Sequence, residues 1–217
     1  MIVAHPDDET YLGVGLLRAN ALNGGVNTVL CGTCGEKGTS HLKKPVTKTA
    51  LKAIRCREIR AVCKEIPRTK VVMSRYRDGG LAGDKAKFLR EARALAKKVQ
   101  PDVIVGFGKD GITGHFDHVA AGDIARHIAK SMQVRFLAFT YPTKYHATMP
   151  GWLKGRRKSP HYKKIPSYRH PKLHITVDPK WKLRMLRKHA SQLDHANPYH
   201  PVPARIAKHF LANEYFG

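Results

Sequence analysis

Two short stretches hold the residues whose types and spacing could do chemistry. The first is Ala4-His5-Pro6-Asp7-Asp8-Glu9, a histidine, two adjacent carboxylates and a third acid directly after an apolar run. The second, Gly114-His115-Phe116-Asp117-His118, follows another apolar run more than a hundred residues later. Burying a core calls for neither. His5 and Asp8 are three apart in a tight loop, so both can face one point. His115 and His118 are three apart at an expected helix start and share a face. A catalytic zinc takes three nitrogen and oxygen ligands and keeps a position for water. His5, Asp8 and one of the two later histidines make such a set, and the other histidine then stands beside the ion. Neighbouring side chains diverge, which leaves Asp7 as a general base. Asp117 is placed to orient the unligated histidine and favour its cation. Base, acid and Lewis acid together suit hydrolysis of an amide, whose nitrogen leaves badly unless protonated. The plainer reading of the first stretch alone is a capped turn, with Asp8 bonding backbone N–H groups at a helix start.

The surrounding pattern supplies elements to position both stretches. Met1-Ile2-Val3 reads as the end of a short strand, cut short or starting upstream. Leu12, Leu16 and Ala19 keep helical spacing up to Asn23-Gly24-Gly25, a stop signal. Asn27 to Cys31 is a strand running into the glycine-rich loop Gly32-Thr33-Cys34-Gly35-Glu36-Lys37-Gly38. A helix is expected from about Thr47 to Ile66, with Ile59, Val62, Cys63 and Ile66 inward and Pro67 as its stop. Lys70 to Met73 is a short strand and Asp78-Gly79-Gly80 a turn. Phe88, Ala92, Leu95 and Val99 mark a helix ended by Pro101. Asp102 to Phe107 is an apolar strand typical of burial on both faces. Ala120, Ile124 and Ile128 line a helix, and Arg135 to Thr140 is a further strand. Leu173 to Val177 is another strand. Leu183, Leu186, Ala190 and Leu193 mark one helix, and Ile206, Phe210 and Leu211 a last one. Alternating strands and helices predict an α/β, Rossmann-like three-layer fold with a mostly parallel sheet. Ligands of such sheets bind beyond the strands' carboxyl ends, where both stretches fall.

The 217 residues suit one domain, 1–217. Its 40 Lys+Arg against 16 Asp+Glu leave a formal charge of +24. That excess speaks to anionic partners such as RNA, phospholipid or acidic glycans, not to fold. A nucleic-acid-binding protein on the same fold is therefore the alternative function. Nine of the 13 prolines lie from Pro142 onward. Between Ile124 and Val177 there are twelve Lys or Arg and no acid, which predicts a basic, proline-rich lid or insertion at about 142–172. Arg156-Arg157-Lys158 there could meet a phosphate. No apolar run reaches the roughly 18 residues that span a bilayer, and no signal peptide opens the chain. Cysteines 31, 34, 56 and 63 make no disulfide framework, and Cys31-Gly-Thr-Cys34 lacks a matching second pair for zinc. A cytoplasmic location is the expectation.

In order along the chain, these pieces resemble the LmbE-like, or N-acetylglucosaminyl-phosphatidylinositol de-N-acetylase (PIG-L), family. Ala4-His5-Pro6-Asp7-Asp8-Glu9 is similar to its signature, and Asp110 to His118 to its Gly-His-Pro-Asp-His segment. The loop 32–38, Arg57-Glu58 and His189-Ala190-Ser191-Gln192 are similar to later pieces. The resemblance implies a zinc-dependent deacetylase acting on N-acetylglucosamine-type groups; the basic lid adds the expectation of a phosphate- or lipid-linked carrier, and an oligomer is open. By position, His5, Asp8 and His118 would bind the ion, Asp7 would be the base, and His115 would stabilise the oxyanion with Asp117 beside it. Arg57 or Arg55 would contact the sugar. Histidine and carboxylate also suit Fe2+ or Mn2+. Phe116 and Lys109 stand where the family commonly has proline. Tyr141, Tyr145 and Trp152 are candidates to line a pocket, Trp181 is expected to pack at a helix start, and His161, His170, His174, His195 and His200 are expected on the surface.

Overall fold

The computed structural model describes residues 1–152, 170–193, 198–200 and 202–217. Arg156, Arg157, Lys158, His161 and His195, with most of the expected lid, lie outside the described residues. The elements are β1 (Ile2–Val3), α1 (Asp8–Leu22), β2 (Asn27–Thr33), α2 (Lys48–Lys64), β3 (Thr69–Tyr76), α3 (Lys85–Val99), β4 (Val103–Phe107), α4 (Phe116–Met132) and β5 (Arg135–Thr140). A 3-10 turn (Thr143–Tyr145), α5 (Met149–Trp152), β6 (Leu173–Thr176), α6 (Pro179–Leu186), α7 (Ala204–Ala212) and β7 (Asn213–Phe216) follow.

Local chemistry sets several boundaries. Thr47 caps α2 by accepting from the Ala50 amide at 3.2 Å. Asp178 does the same for α6, with Pro179 at the first helical position. Gln100 ends α3 in the left-handed conformation, and Pro101 prevents continuation.

Strands β1, β2 and β3 pair in parallel, in that order, and β4 pairs in parallel with β5. The two sheets abut at β1 and β4: a Cβ on Gly106 would lie 3.2 Å from the Ile2 carbonyl oxygen. Beyond β5 the sheet turns antiparallel, through β7 to β6. The expected parallel α/β sheet is thus present, with a mixed far edge. Helices α3 and α4 pack together, tied by Lys85–Asp123 and Arg93–His127. α4 comes so close to β4 that a Cβ on Gly122 would sit 2.5 Å from the Phe107 carbonyl oxygen, so only glycine fits there. The core between sheet and helices includes the predicted Ile59, Val62, Cys63, Ile66, Phe88, Ala92, Ile124 and Ile128, all buried.

One expectation needs correction, and two details were not foreseen. In α1 the fully buried side is Val14, Leu17 and Ala21, while Leu12, Leu16 and Ala19 are half-buried; the helix is covered on more than one side, which blurs a single stripe. The helix expected to reach Leu193 stops at Leu186. Lys188 and His189 tighten to i–3 carbonyls, and both the amide and the hydroxyl of Ser191 turn to Glu58. Strand β7 was not foreseen: it follows α7 directly, with no glycine or proline between them.

Candidate metal and catalytic site

Every parallel strand ends at one edge, and loops from that edge build the site. After β1 the chain turns so that the Ala4 and His5 amides donate to Asp8 Oδ2, at 3.1 and 2.8 Å. The capped-turn reading has Asp8 bonding the first amides of the helix; instead its Oδ2 accepts from the turn that precedes α1, which begins at Asp8 itself. The other, Oδ1, lies 3.3 Å from His118 Nε2. After β4, a loop brings Gly111 O within 3.0 Å of His118 Nδ1. The His118 ring stacks on Phe107 at 4.2 Å.

These contacts fix the protons. His118 Nδ1 faces a carbonyl, so it carries hydrogen and Nε2 keeps its lone pair. His5 Nε2 lies 3.3 Å from Asp117 Oδ2 and 3.2 Å from Asp78 Oδ1, so it carries hydrogen and Nδ1 is the nitrogen turned to the site. The two inward nitrogens stand 3.2 Å apart, and Asp8 Oδ2 is 3.7 Å from His5 Nδ1. A positive charge suits the place between them: a proton on His5 Nδ1, or a metal ion that displaces it. A tetrahedral ion with bonds of about 2.0–2.1 Å holds its ligand atoms roughly 3.3 Å apart. The donor set and spacing of His5, Asp8 and His118 therefore fit a divalent metal, with Asp78 and Asp117 bonding the far side of His5 as outer partners commonly do. Donor atoms of His5, His115 and His118 also lie within 4.8 Å of one another. His115 Nδ1, however, accepts from the Asp117 amide at 3.2 Å as the cap of α4. That leaves the proton on Nε2, a donor on a residue that lines the cavity.

The charges follow the same geometry. Burial alone would lower the His5 pKa, but Asp117, Asp78 and Asp8 outweigh it and raise it to about 10. The same field attracts a cation. Burial would raise Asp8, yet His118 and His5 hold it well below the usual carboxylate range. Asp78 and Asp117 are likewise lowered against burial, chiefly by His5. Asp7 goes the other way: burial raises it, Arg55 opposing and Asp8 adding. His115 is pushed down to about 3 by burial, then by His118 and His5, with Asp117 pulling upward by less. The expected cationic His115 is thus corrected to a neutral one. Asp117 spends its oxygens on His5, on the Gly79 amide at 2.7 Å and on the Leu81 amide at 3.0 Å.

Arg55 is buried in the wall of the cavity, with its guanidinium turned to the protein. It donates to Gly35 O at 2.7 Å and Pro6 O at 2.5 Å, and its Nη2 lies 3.2 Å from Asp7 Oδ2. A Cβ on Gly35, which has φ +65°, would run into that guanidinium. Arg57, two positions on, falls on the exposed side of α2 and away from the cavity. Phe116 takes the first position of α4, where a proline would sit, and His115 still caps the helix. Asp78 is the site residue that sequence reasoning missed, since Asp-Gly-Gly reads as a turn.

The cluster opens into a cavity of about 650 Å³. Tyr11, Tyr141, Tyr199, Phe210 and Tyr215 are among its walls, with Lys37, His41 and His200 also facing it. Tyr145 packs against Phe210 instead. Trp181 is buried at the start of α6 with Arg18 over its ring at 4.5 Å. His170, His174 and His200 are exposed as expected. Cys34 and Cys56 form a disulfide, while Cys31 and Cys63 are free and buried. This corrects the expectation of unpaired cysteines. The fold pairs one member of each sequence neighbourhood, because the loop after β2 packs against α2 with those Cα atoms 5.8 Å apart.

Residues 1–129, which carry both clusters, match the sequence family described as PIG-L, GlcNAc-PI de-N-acetylase. The chain belongs to that family. A 1D-myo-inositol 2-acetamido-2-deoxy-alpha-D-glucopyranoside deacetylase from Corynebacterium diphtheriae is 30% identical over 152 residues, 60% of this chain. The chain spans about half the length of the curated relatives of that kind, 52% in this case. A probable N-acetyl-alpha-D-glucosaminyl L-malate deacetylase 2 from Bacillus anthracis is 26% identical over 88% of this chain and 80% of its own length. Among solved structures, the N,N'-diacetylchitobiose deacetylase from Pyrococcus horikoshii superposes with a TM-score of 0.69 at 20% identity, over 100% of this chain and 81% of that one. That likeness establishes a shared fold. Among the described residues no helix is long and apolar enough to cross a membrane.

Proposed function

We propose that this member of the PIG-L family is a metal-dependent de-N-acetylase that removes the acetyl group from an N-acetylglucosamine-type amide. The observation that carries the reading is the convergence of His5 Nδ1, His118 Nε2 and the Asp8 carboxylate on one point. Zinc is the ion proposed, Fe2+ and Mn2+ being chemically compatible. When bound by His5, Asp8 and His118, the ion supplies Lewis acidity that polarises the carbonyl and acidifies water. Asp7 takes the proton of the attacking water, as its neighbouring position and its contact with Arg55 support. Water's hydroxyl goes to the acyl carbon, the C–N bond breaks, and Asp7 returns the proton to the leaving nitrogen. His115 donates from Nε2 to the oxyanion that develops on the carbonyl oxygen. Asp117 and Asp78 hold His5 in the tautomer that presents Nδ1.

The relatives' printed substrates, an acetamido-glucosyl inositol and an acetylglucosaminyl malate, support an N-acetylated amino-sugar substrate whose carrier the cavity has room to hold. A phosphate- or lipid-linked carrier, an oligomer, and one domain over 1–217 belong to the same proposal. So does a cytoplasmic location, against which the Cys34–Cys56 bond weighs. Nucleic-acid binding draws support from the +24 charge alone and is not favoured. Acetate release measured over a panel of acetylated amino-sugar conjugates, with and without chelator, tests the reading. Release that needs the metal supports it; no release from any member of the panel would overturn it.

A further inference from the structure

The turn His189–Gln192 does nothing in the mechanism above, yet two of its polar side chains are buried. His189 and Ser191 are 1% and 0% exposed, and their partners Glu9 and Glu58 are 0% and 8%. His189 Nε2 lies 2.8 Å from Glu9 Oε1 and 3.0 Å from Thr10 Oγ1. The other oxygen of Glu9 accepts from the Asp7 amide at 3.0 Å. Asp7 has φ 111°, a conformation that a residue with a side chain adopts only when its surroundings hold it there. Its carbonyl is tied as well, accepting from the Thr10 and Tyr11 amides at 2.9 Å each.

Two residues beyond His189, the same turn is pinned to α2. The Ser191 amide and hydroxyl both donate to Glu58, at 2.8 and 2.7 Å. Glu58 lies three positions from Arg55, close to it on the helix that sends Arg55 to the Asp7 carboxylate. One turn thus anchors both holds on Asp7: Glu9 on its amide, and the helix whose Arg55 meets its carboxylate. His189 Nδ1 is buried with no hydrogen-bond partner among the described residues, a cost that simple core filling would avoid.

We infer that Glu9 and His189 are positioning residues for Asp7: the buried His189–Glu9 contact holds the strained Asp7 peptide and so aims its carboxylate at the reacting water. The inference rests on the assignment of Asp7 as general base, but its structural half stands apart from activity. Crystal structures of Glu9→Gln and His189→Ala, with His189→Gln as the milder replacement, test that half. Asp7 is expected to relax to negative φ and leave Arg55 in His189→Ala. It is expected to stay closer to its place in His189→Gln, whose amide can still donate to Glu9. An Asp7 that keeps its positive φ and its contact with Arg55 in both Glu9→Gln and His189→Ala would overturn the inference whatever the enzyme does. In solution, kcat should fall about 100-fold in His189→Ala, as a misplacement of about 1 Å costs. KM and the bound metal per chain should hold, and His189→Gln should recover part of kcat. A kcat that drops only in step with the folded fraction would mean a merely structural turn. A wild type that releases no acetate would sink the proposed function, and the Asp7 geometry would still decide this inference.

Discussion

His5 and His118 present ring nitrogens to each other at 3.2 Å, and both rings have their hydrogen-bonded nitrogens turned outward. With His5 held charged by its acidic neighbours, a proton on its Nδ1 lies between the two rings, at the place where a metal would displace it. On the proposed reading the contact marks half of a cation site, and Asp8 supplies the carboxylate that completes it. The outward partners matter as much as the inward ones, because they decide which nitrogen is available.

Asp117→Asn and Asp78→Asn are accordingly expected to weaken metal binding by about 10- to 100-fold each, without removing a ligand. Competition with a chelator of known affinity measures this. An unchanged metal affinity in both variants would show that His5 is oriented by packing alone.

Replacing Arg55 by Met is expected to shift the acid limb of kcat/KM to higher pH. Burial raises the Asp7 pKa, and Arg55 is the first group opposing that rise. Without the cation, the carboxylate takes up its proton at higher pH, so the base is lost earlier as pH falls. A pH–rate profile checks the sign. A limb that stays in place, with only KM raised, would return Arg55 to the sugar-contact role first expected of it.

Lys182 and Glu214 form an ion pair at 2.9 Å that is essentially sealed from solvent. Lys182 also donates to Tyr11 O at 3.0 Å, and Glu214 accepts from the Gly15 and Leu16 amides at 2.9 and 3.0 Å. The pair bolts β7 and α6 onto the helix that begins at Asp8. Lys182→Met leaves a buried carboxylate without its cation and is expected to cost about 3–5 kcal/mol in urea unfolding, while a second change, Glu214→Gln, recovers part of it. A loss below about 1 kcal/mol would mean that the pair is solvated.

Much of this was legible in the sequence for a physical reason. The two clusters are contiguous in the chain, and each follows a strand, so their type and place could be read together. Helices α2, α3 and α4 have clean apolar periodicity, and Pro67 and Pro101 stand just past the ends of the first two. What failed depends on contacts distant in sequence. Asp78 becomes a site residue only because β3, separated from β1 by β2, ends at the same edge of the sheet and its following turn reaches His5. Arg55 and Arg57 are equivalent in composition, and only the helix phase separates the buried residue from the exposed one. Cys34 meets Cys56 because a loop packs on α2, which no spacing reveals. His115 carries the right residue type for the oxyanion, but its neutral state comes from burial beside two other histidines.

Metal content and acetate release, measured on the same preparations, address the central claim most directly. Wild type should hold about one divalent ion per chain. It should lose acetate release on chelation and regain it with added Zn2+, while His118→Ala and Asp8→Ala should lack both ion and activity. Undiminished acetate release from the stripped protein, or wild-type metal content in His118→Ala, would contradict the account.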